Sequence, residues 1–281
     1  MYPRLAFALV FLIITAVVSF QVIFTVPEQP QIITQTGANI KQDIRCMEFD
    51  KPQVLDKDGE LNVLVWNIYK QNRDNWKQAL DTFSVNKQLL LLQEASLTDD
   101  FKSWLVEGHW VSNQVSAFKA LGSGAGVISI AQKEPILACA YTSKEPWLRL
   151  PKSALYSKYR LSNGETLAVV NIHAINFTVG TEEYTSQLSA LERVLKEHKG
   201  PILFAGDFNS WSEERVMAMK KALQKANLKE AKFSQDNRTQ FITGLPLDHV
   251  FYRELTLKNA KAPQSDASDH NPLLVSFTLS D

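Results

Sequence analysis

Short apolar runs separated by polar breaks dominate this chain, and most have the length and β-branched content of strands. Runs at 61–68, 88–93, 127–131, 136–141, 153–161, 166–172, 201–205, 249–252 and 272–279 read this way, with Asn163-Gly164 as a hairpin turn between two of them. Helices are expected in four places. Trp76, Leu80 and Phe83 fall on one face of 75–83, and Leu188, Leu191 and Leu195 on one face of 181–198. Thr98 followed by Asp99-Asp100, and Ser212 followed by Glu213-Glu214, give an N-cap and acidic first turn to helices ending near 106 and 227. Strands interleaved with helices predict a mixed α/β domain over 60–281. Residues 27–59 are polar without sustained period and read as a linker or tether with a structured end near Cys46. The glycine-rich stretch Gly122-Ser123-Gly124-Ala125-Gly126 reads as a mobile loop, its spacing matching neither a nucleotide fingerprint nor a nucleophile elbow.

The N-terminus changes this picture. Residues 5–26 carry no charge over about 22 positions, enough to span ~30 Å of hydrocarbon as a helix. Arg4 precedes the run and no Lys follows until Lys41, so the positive-inside bias places the rest of the chain outside the cytoplasm. The expectation is an inner-membrane anchor over 1–26 with a periplasmic catalytic domain. The alternative is a cleaved signal peptide, with Val17-Val18-Ser19 as a weak cleavage site. Cys46 and Cys139 suit an oxidising compartment and could form one disulfide, or remain two unrelated thiols. Lys plus Arg equals Asp plus Glu at 30 each, so the overall excess of basic charge common in nonspecific DNA binders is absent. The run Lys220, Lys221, Lys225, Lys229 and Lys232 reads as a solvated face.

Six segments place an acid-base or metal-binding residue at or just past the end of an apolar run. They are Val65-Trp66-Asn67, Leu91-Leu92-Gln93-Glu94, Asn171-Ile172-His173, Gly206-Asp207-Phe208-Asn209, Leu247-Asp248-His249 and Ser268-Asp269-His270-Asn271. Strand ends lie at a sheet rim, where functional loops gather. Glu94 follows four consecutive leucines, a costly place for a carboxylate without a partner. Imidazoles titrate near neutral pH, which makes His270 a candidate general base. Asp269 adjoins it, but neighbouring side chains on an extended segment face opposite ways. His249 is expected to point away from the site for the same reason.

In order and wording these segments resemble the endonuclease/exonuclease/phosphatase superfamily, over roughly residues 60 to 281. Gly206-Asp207-Phe208-Asn209 and Ser268-Asp269-His270 are the most specific parts. An uncharacterised bacterial branch is closest, through Trp66-Asn67-Ile68-Tyr69-Lys70, Asn171-Ile172-His173-Ala174 and Ser268-Asp269-His270-Asn271-Pro272-Leu273. The resemblance implies a four-layer α/β sandwich and hydrolysis of phosphate esters with Mg²⁺, or Mn²⁺ in its place. It implies Glu94, Asn67 and Asp269 as metal ligands, His270 as base, and Asp248 as the carboxylate that orients it. Asp207 and Asn209 would position the attacking water, with Asn209 also able to bind a phosphate oxygen. His173 would contact phosphate or protonate the leaving group, although no carboxylate partner for it can be placed. Asn176 and Lys152 are further phosphate candidates. The expected substrate is a nucleic-acid or phospholipid phosphodiester, with no protein partner evident and a monomer expected. A decayed binding or scaffold protein on the same fold is the competing reading. A serine or zinc hydrolase lacks its nucleophile elbow and His-rich ligand set here.

Overall fold

The computed structural model describes residues 23–120, 123–147 and 149–280, with scattered positions before 23. The apolar helix expected over 1–26 lies for the most part outside these. Among the described residues, no helix is long and apolar enough to cross a membrane.

Two sheets form the body. In the larger, 11-stranded among the described residues, Leu255–Ala262, Leu273–Leu279, Glu60–Asn67, Leu89–Ser96, Ser123–Ala131 and Val111–Ser116 lie side by side. In the smaller, 7-stranded sheet the central order is Asp248–Arg253, Ile202–Asp207, Thr166–His173, Pro151–Arg160, Leu137–Lys144. The sheets face each other across a core that includes Val63, Val65, Leu89 and Leu91 from one, and Leu167, Val169, Leu203, Ala205 and Val250 from the other. Alternate residues of the same strands point outward. Leu64, Trp66, Leu90 and Leu92 pack under helices Trp76–Phe83 and Asp99–Glu107. Ala168, Val170, Ile202 and Phe204 pack under helices Glu182–Lys196 and Glu213–Gln224. Helix pair, sheet, sheet and helix pair thus stack in succession. Two of the helices start as their sequences predict: Thr98 Oγ1 accepts from Phe101 N, and Ser212 Oγ from Arg215 N, each at 3.3 Å.

Residues 27–59 are not a tether. Gln31–Thr36 pairs antiparallel with Val111–Ser116 and with Asn39–Ile44, while Cys46–Glu48 joins the smaller sheet beside Leu137–Lys144. Ile32 is fully buried against Val115, Val127, Ala138 and Leu155, so these strands close one end of the inter-sheet space. Cys46 and Cys139, directly opposite in this pairing, are joined by a disulfide. The glycine-rich stretch is not a loop either: Ser123–Ala131 is one continuous strand. A Cβ at Gly126 would sit 2.1 Å from Val115 O, so glycine there serves close strand approach.

Candidate active site

The inward face of each central strand runs apolar and then turns polar at one end. Val63 and Val65 lead to Asn67, Leu89 and Leu91 to Gln93, and Leu167 and Val169 to Asn171 and His173. Leu203 and Ala205 lead to Asp207, and Val250 to Asp248. Strand period alone carries all of these into the inter-sheet space. Register then aligns them: His173 pairs with Asp207 across parallel strands, and Asp207 with Asp248 across antiparallel ones. Gly206 makes this alignment possible, because with φ +141 any Cβ would lie 2.0 Å from Ile172 O.

Period 2 sends Gln93 inward and would send Glu94 out. Gln93 does bridge the sheets, its Nε2 donating to Asn171 Oδ1 at 2.7 Å, while Asn171 Nδ2 donates to Leu92 O and Ile128 O. Glu94 instead adopts φ 51 at a register shift between Leu92 and Ala95. That bulge turns its carboxylate back towards the site. Glu94 Oε2 accepts from Lys70 Nζ, and Oε1 lies 3.8 Å from His173 Nε2. Burial pushes its acidity down, but His173 and Lys70 outweigh this and hold it at about 2, so it is charged at any working pH.

His270 comes from the loop before Leu273–Leu279. Trp66 Nε1 donates to His270 O at 2.8 Å and Ser268 Oγ to Asn67 O at 2.6 Å, which fastens this loop to Glu60–Asn67. His270 Nδ1 lies 2.7 Å from Asp248 Oδ2, both residues buried, and Nε2 lies 4.0 Å from Asp207 Oδ2. Burial disfavours the imidazolium, but Asp248, then Asp207 and Asp269, overcome this and carry it up to about 10. His173 differs. Burial and then Lys152 outweigh Asp207 and Glu94 and bring it down to about 4. At neutral pH His173 is uncharged and its Nε2 accepts from Lys152 Nζ at 2.7 Å.

A row therefore runs His270, Asp207, His173, Lys152, with Asp248 behind the first and Glu94 beside the third. Asn67 Nδ2 donates to Asp207 Oδ2 at 3.0 Å, tying the sheets together at the centre of the row. Asn209, at φ 47, takes an Asx turn in which its N–H donates to Asp207 Oδ1, and its side-chain amide donates to Ala174 O. Asp269 is exposed at the rim. Asn176 is built into the loop framework: its side-chain oxygen accepts from Trp211 Nε1 and its N–H donates to Glu145 Oε1. His249 faces the other way, between Ser210 Oγ at 2.8 Å and Glu230 Oε1 at 2.7 Å. The lysines of 220–232 are exposed.

Three contributors were not singled out from the sequence. Lys70 is Glu94's ion-pair partner. Glu145, almost fully buried, receives the N–H groups of Asn176 and Phe177. Arg215, also buried, donates to Ile175 O, Asn176 O and Asn209 O, clasping the loops that follow His173 and Asp207. A readable signal existed for Arg215: it shares a buried helical stripe with Met219 and Leu223, where an unpaired charge would be expensive.

The residues suit a hard divalent cation. Glu94, Asp207, Asp248 and Asp269 bring four carboxylates, against the ammonium groups of Lys70 and Lys152 and the His270 imidazolium. Asp248 Oδ1 is buried without a hydrogen-bond partner. Ligand atoms of Asp207, Asp248 and His270 lie within 4.8 Å of one another. The short His270–Asp248 bond already engages two of these residues, while Asp207 and Glu94 lie 3.4 and 3.8 Å from His173 Nε2.

Residues 64–270 match the model of the endonuclease/exonuclease/phosphatase family, and the chain belongs to that family. It is 91% identical, over the whole of both chains, to a UPF0294 protein of Vibrio campbellii. It is 44% identical to a UPF0294 protein of Photorhabdus laumondii, covering 78% of this chain and 84% of that one. Among solved structures it resembles the human Nocturnin catalytic domain with bound sulfate, at TM-score 0.61, 17% identity and coverage of 82% and 98%. It also resembles D. rerio TDP2 complexed with a single-strand DNA product, at TM-score 0.61, 17% identity and coverage of 79% and 100%. These two likenesses concern the fold.

Proposed function

We propose that this chain is a divalent-metal-dependent phosphodiesterase that works outside the cytoplasm. The observation that carries the reading is the His270 imidazole, fixed by Asp248 at Nδ1 while Nε2 faces Asp207 across 4.0 Å. That gap is too long for a hydrogen bond and suits a water held between the two. Water oxygen attacks phosphorus, one P–O ester bond breaks, and the water proton passes to Nε2. In the site as it stands His270 holds a proton at neutral pH, so it becomes a base only when the surrounding negative charge is cancelled. Mg²⁺ held by Glu94, Asn67 and Asp207 would supply that neutralisation and Lewis-acid stabilisation of the phosphate. On the leaving side His173 is neutral, so the proton-bearing group is Lys152, with His173 as the post that aims it. Placement outside the cytoplasm is supported by the uncharged run at 5–26 and by the Cys46–Cys139 disulfide.

Hydrolysis of a nitrophenyl phosphodiester by the full-length protein tests the reading. Activity should require Mg²⁺ or Mn²⁺ and vanish in EDTA. Full activity in EDTA, rescue by Zn²⁺ alone, or no turnover under any metal would overturn it, the last in favour of a scaffold role.

A further inference from the structure

A cavity of about 340 Å³ opens beside the reacting groups. Its lining joins polar groups, Lys70, Glu94, Glu145, Lys152 and His173, to an apolar end that includes the touching rings of Phe24 and Phe118. The loops that frame it, around 145–150 and 175–180, are tied together through Glu145. They expose Trp147 at 70%, Phe177 at 55% and Val179 at 79%, large apolar side chains on the rim of a site for an anionic substrate. The path of the chain explains the placement. Phe24–Thr25 pairs with Phe118–Ala120, and the Phe24 ring meets Phe118 edge-on at 6.1 Å. The wall of the cavity is thus the end of the uncharged run at 5–26.

Resting on the phosphodiesterase reading above, we propose that the substrate is a glycerophospholipid drawn from the bilayer that holds this run. Its phosphate lies at His173 and Lys152, and its glycerol and first methylenes lie in the apolar end. A cavity of this size holds a drug-sized group, so the remaining acyl chains stay in the membrane. A nucleic acid would need cations along a track. Aromatic side chains alone would serve either ligand, but here they stand with the aliphatic Val179. Among the described residues the lysines lining the cavity are only Lys70, paired with Glu94, and Lys152, and the chain has no net charge. The geometry also selects the bond. His270 stands at one end of the polar row and Lys152 at the other, inside the cavity, so the leaving oxygen belongs to the group bound there. Water oxygen joins phosphorus and the P–O bond to glycerol breaks. The glycerol oxygen takes a proton from Lys152 and the water proton stays on His270, giving diacylglycerol and a phosphorylated head group.

The test uses full-length protein in vesicles of phosphatidylethanolamine and phosphatidylglycerol with Mg²⁺, alongside supercoiled DNA and the nitrophenyl phosphodiester. Diacylglycerol should accumulate, with vesicle lipid cleaved at least tenfold faster than DNA. Trp147→Asp and, separately, Val179→Asp should lower the ratio of vesicle to nitrophenyl activity at least fivefold. Two exposed positions are used so that one misfolded variant does not decide the matter. Hydrolysis of nitrophenyl ester and DNA with intact vesicles would overturn the lipid assignment and leave the phosphodiesterase reading standing. Loss of all three activities would remove both. Phosphatidate as product would overturn the choice of bond.

Discussion

Asp248→Asn separates a catalytic pair from a merely structural one. Replacing the carboxylate keeps the shape and an acceptor but removes the charge 2.7 Å from His270 Nδ1. Lifting the imidazole from 6.5 to about 10 represents roughly 5 kcal/mol of preference for its charged form, to which Asp248 is the largest favourable contributor. A folded-state value raised above the unfolded one adds stability that is fully present below about pH 6.5 and is lost as pH rises through 10. Removing one partner of a buried pair costs about 3–5 kcal/mol. Denaturant unfolding in EDTA should therefore show Asp248→Asn destabilised by about 3 kcal/mol at pH 6 and by about 1 kcal/mol or less at pH 10.5. Lysine and tyrosine titrations cancel in that difference. In turnover with Mg²⁺, His270→Ala should lower kcat by roughly 10²–10⁴-fold and Asp248→Asn by part of that. The double variant should be little worse than His270→Ala, because the two act as one unit. Equal destabilisation at both pH values, or kinetic losses that multiply, would refute the pairing and turn attention to His173.

Glu94→Gln should raise the Mg²⁺ concentration for half-maximal activity at least tenfold, whereas Lys70→Met, which removes the ammonium now on that carboxylate, should lower it; titration of activity with Mg²⁺ reads both, and opposite shifts would remove Glu94 from the metal set. The disulfide closes a segment of 93 residues, worth roughly 4–5 kcal/mol in the chain-entropy account, so the paired changes Cys46→Ser and Cys139→Ser should lower the unfolding midpoint sharply; indifference to reductant would count against the bond. A reporter active only in the periplasm, fused after residue 281, should give signal that deletion of 1–26 abolishes, and a cytoplasmic signal would reverse the topology.

The central strands and the four helices were legible because their signals are local. Alternating or continuous apolar residues such as Val63 to Trp66 and Ile202 to Ala205 specify buried strands, and Thr98 and Ser212 announce helix starts. The inward placement of polar residues at the strand ends was legible in the same way, since period 2 carries Asp207 and Asp248 inward with their apolar neighbours. What stayed hidden depends on contacts distant in sequence. Val111–Ser116 is buried at all six positions although four are polar, their side chains meeting partners such as Thr34 and Ala95. Leu255–Ala262 breaks its own alternation at a register shift between Leu257 and Asn259. Gln31–Thr36 is polar enough to read as a tether until its partner strand is known. Lys70 and Glu145 matter through ion pairs and backbone acceptance, which no local pattern encodes.

Backbone strain marks the same boundary between what a sequence displays and what a fold imposes. Among the described residues twelve non-glycine residues have positive φ, and five of them border the site: Tyr69, Lys70, Gln71, Glu94 and Asn209. Each such conformation costs on the order of 1–3 kcal/mol and persists only where its surroundings over-determine it. Here the surroundings are visible. Gln71 Nε2 donates to Ser96 O and Gln71 Oε1 accepts from Ser96 N, so a side chain completes backbone pairing that the bulge at Glu94 interrupts. Tyr69 N donates to Asn67 Oδ1, which locks the turn to a site residue. The effect of both devices is the same: they bring Lys70 and Glu94 together in the lining of the cavity. Relaxing either would return Glu94 to the outward parity of its strand. That carboxylate is held inward against the period of its strand, and its burial is offset by His173 and Lys70, which the same turn and bulge bring to it.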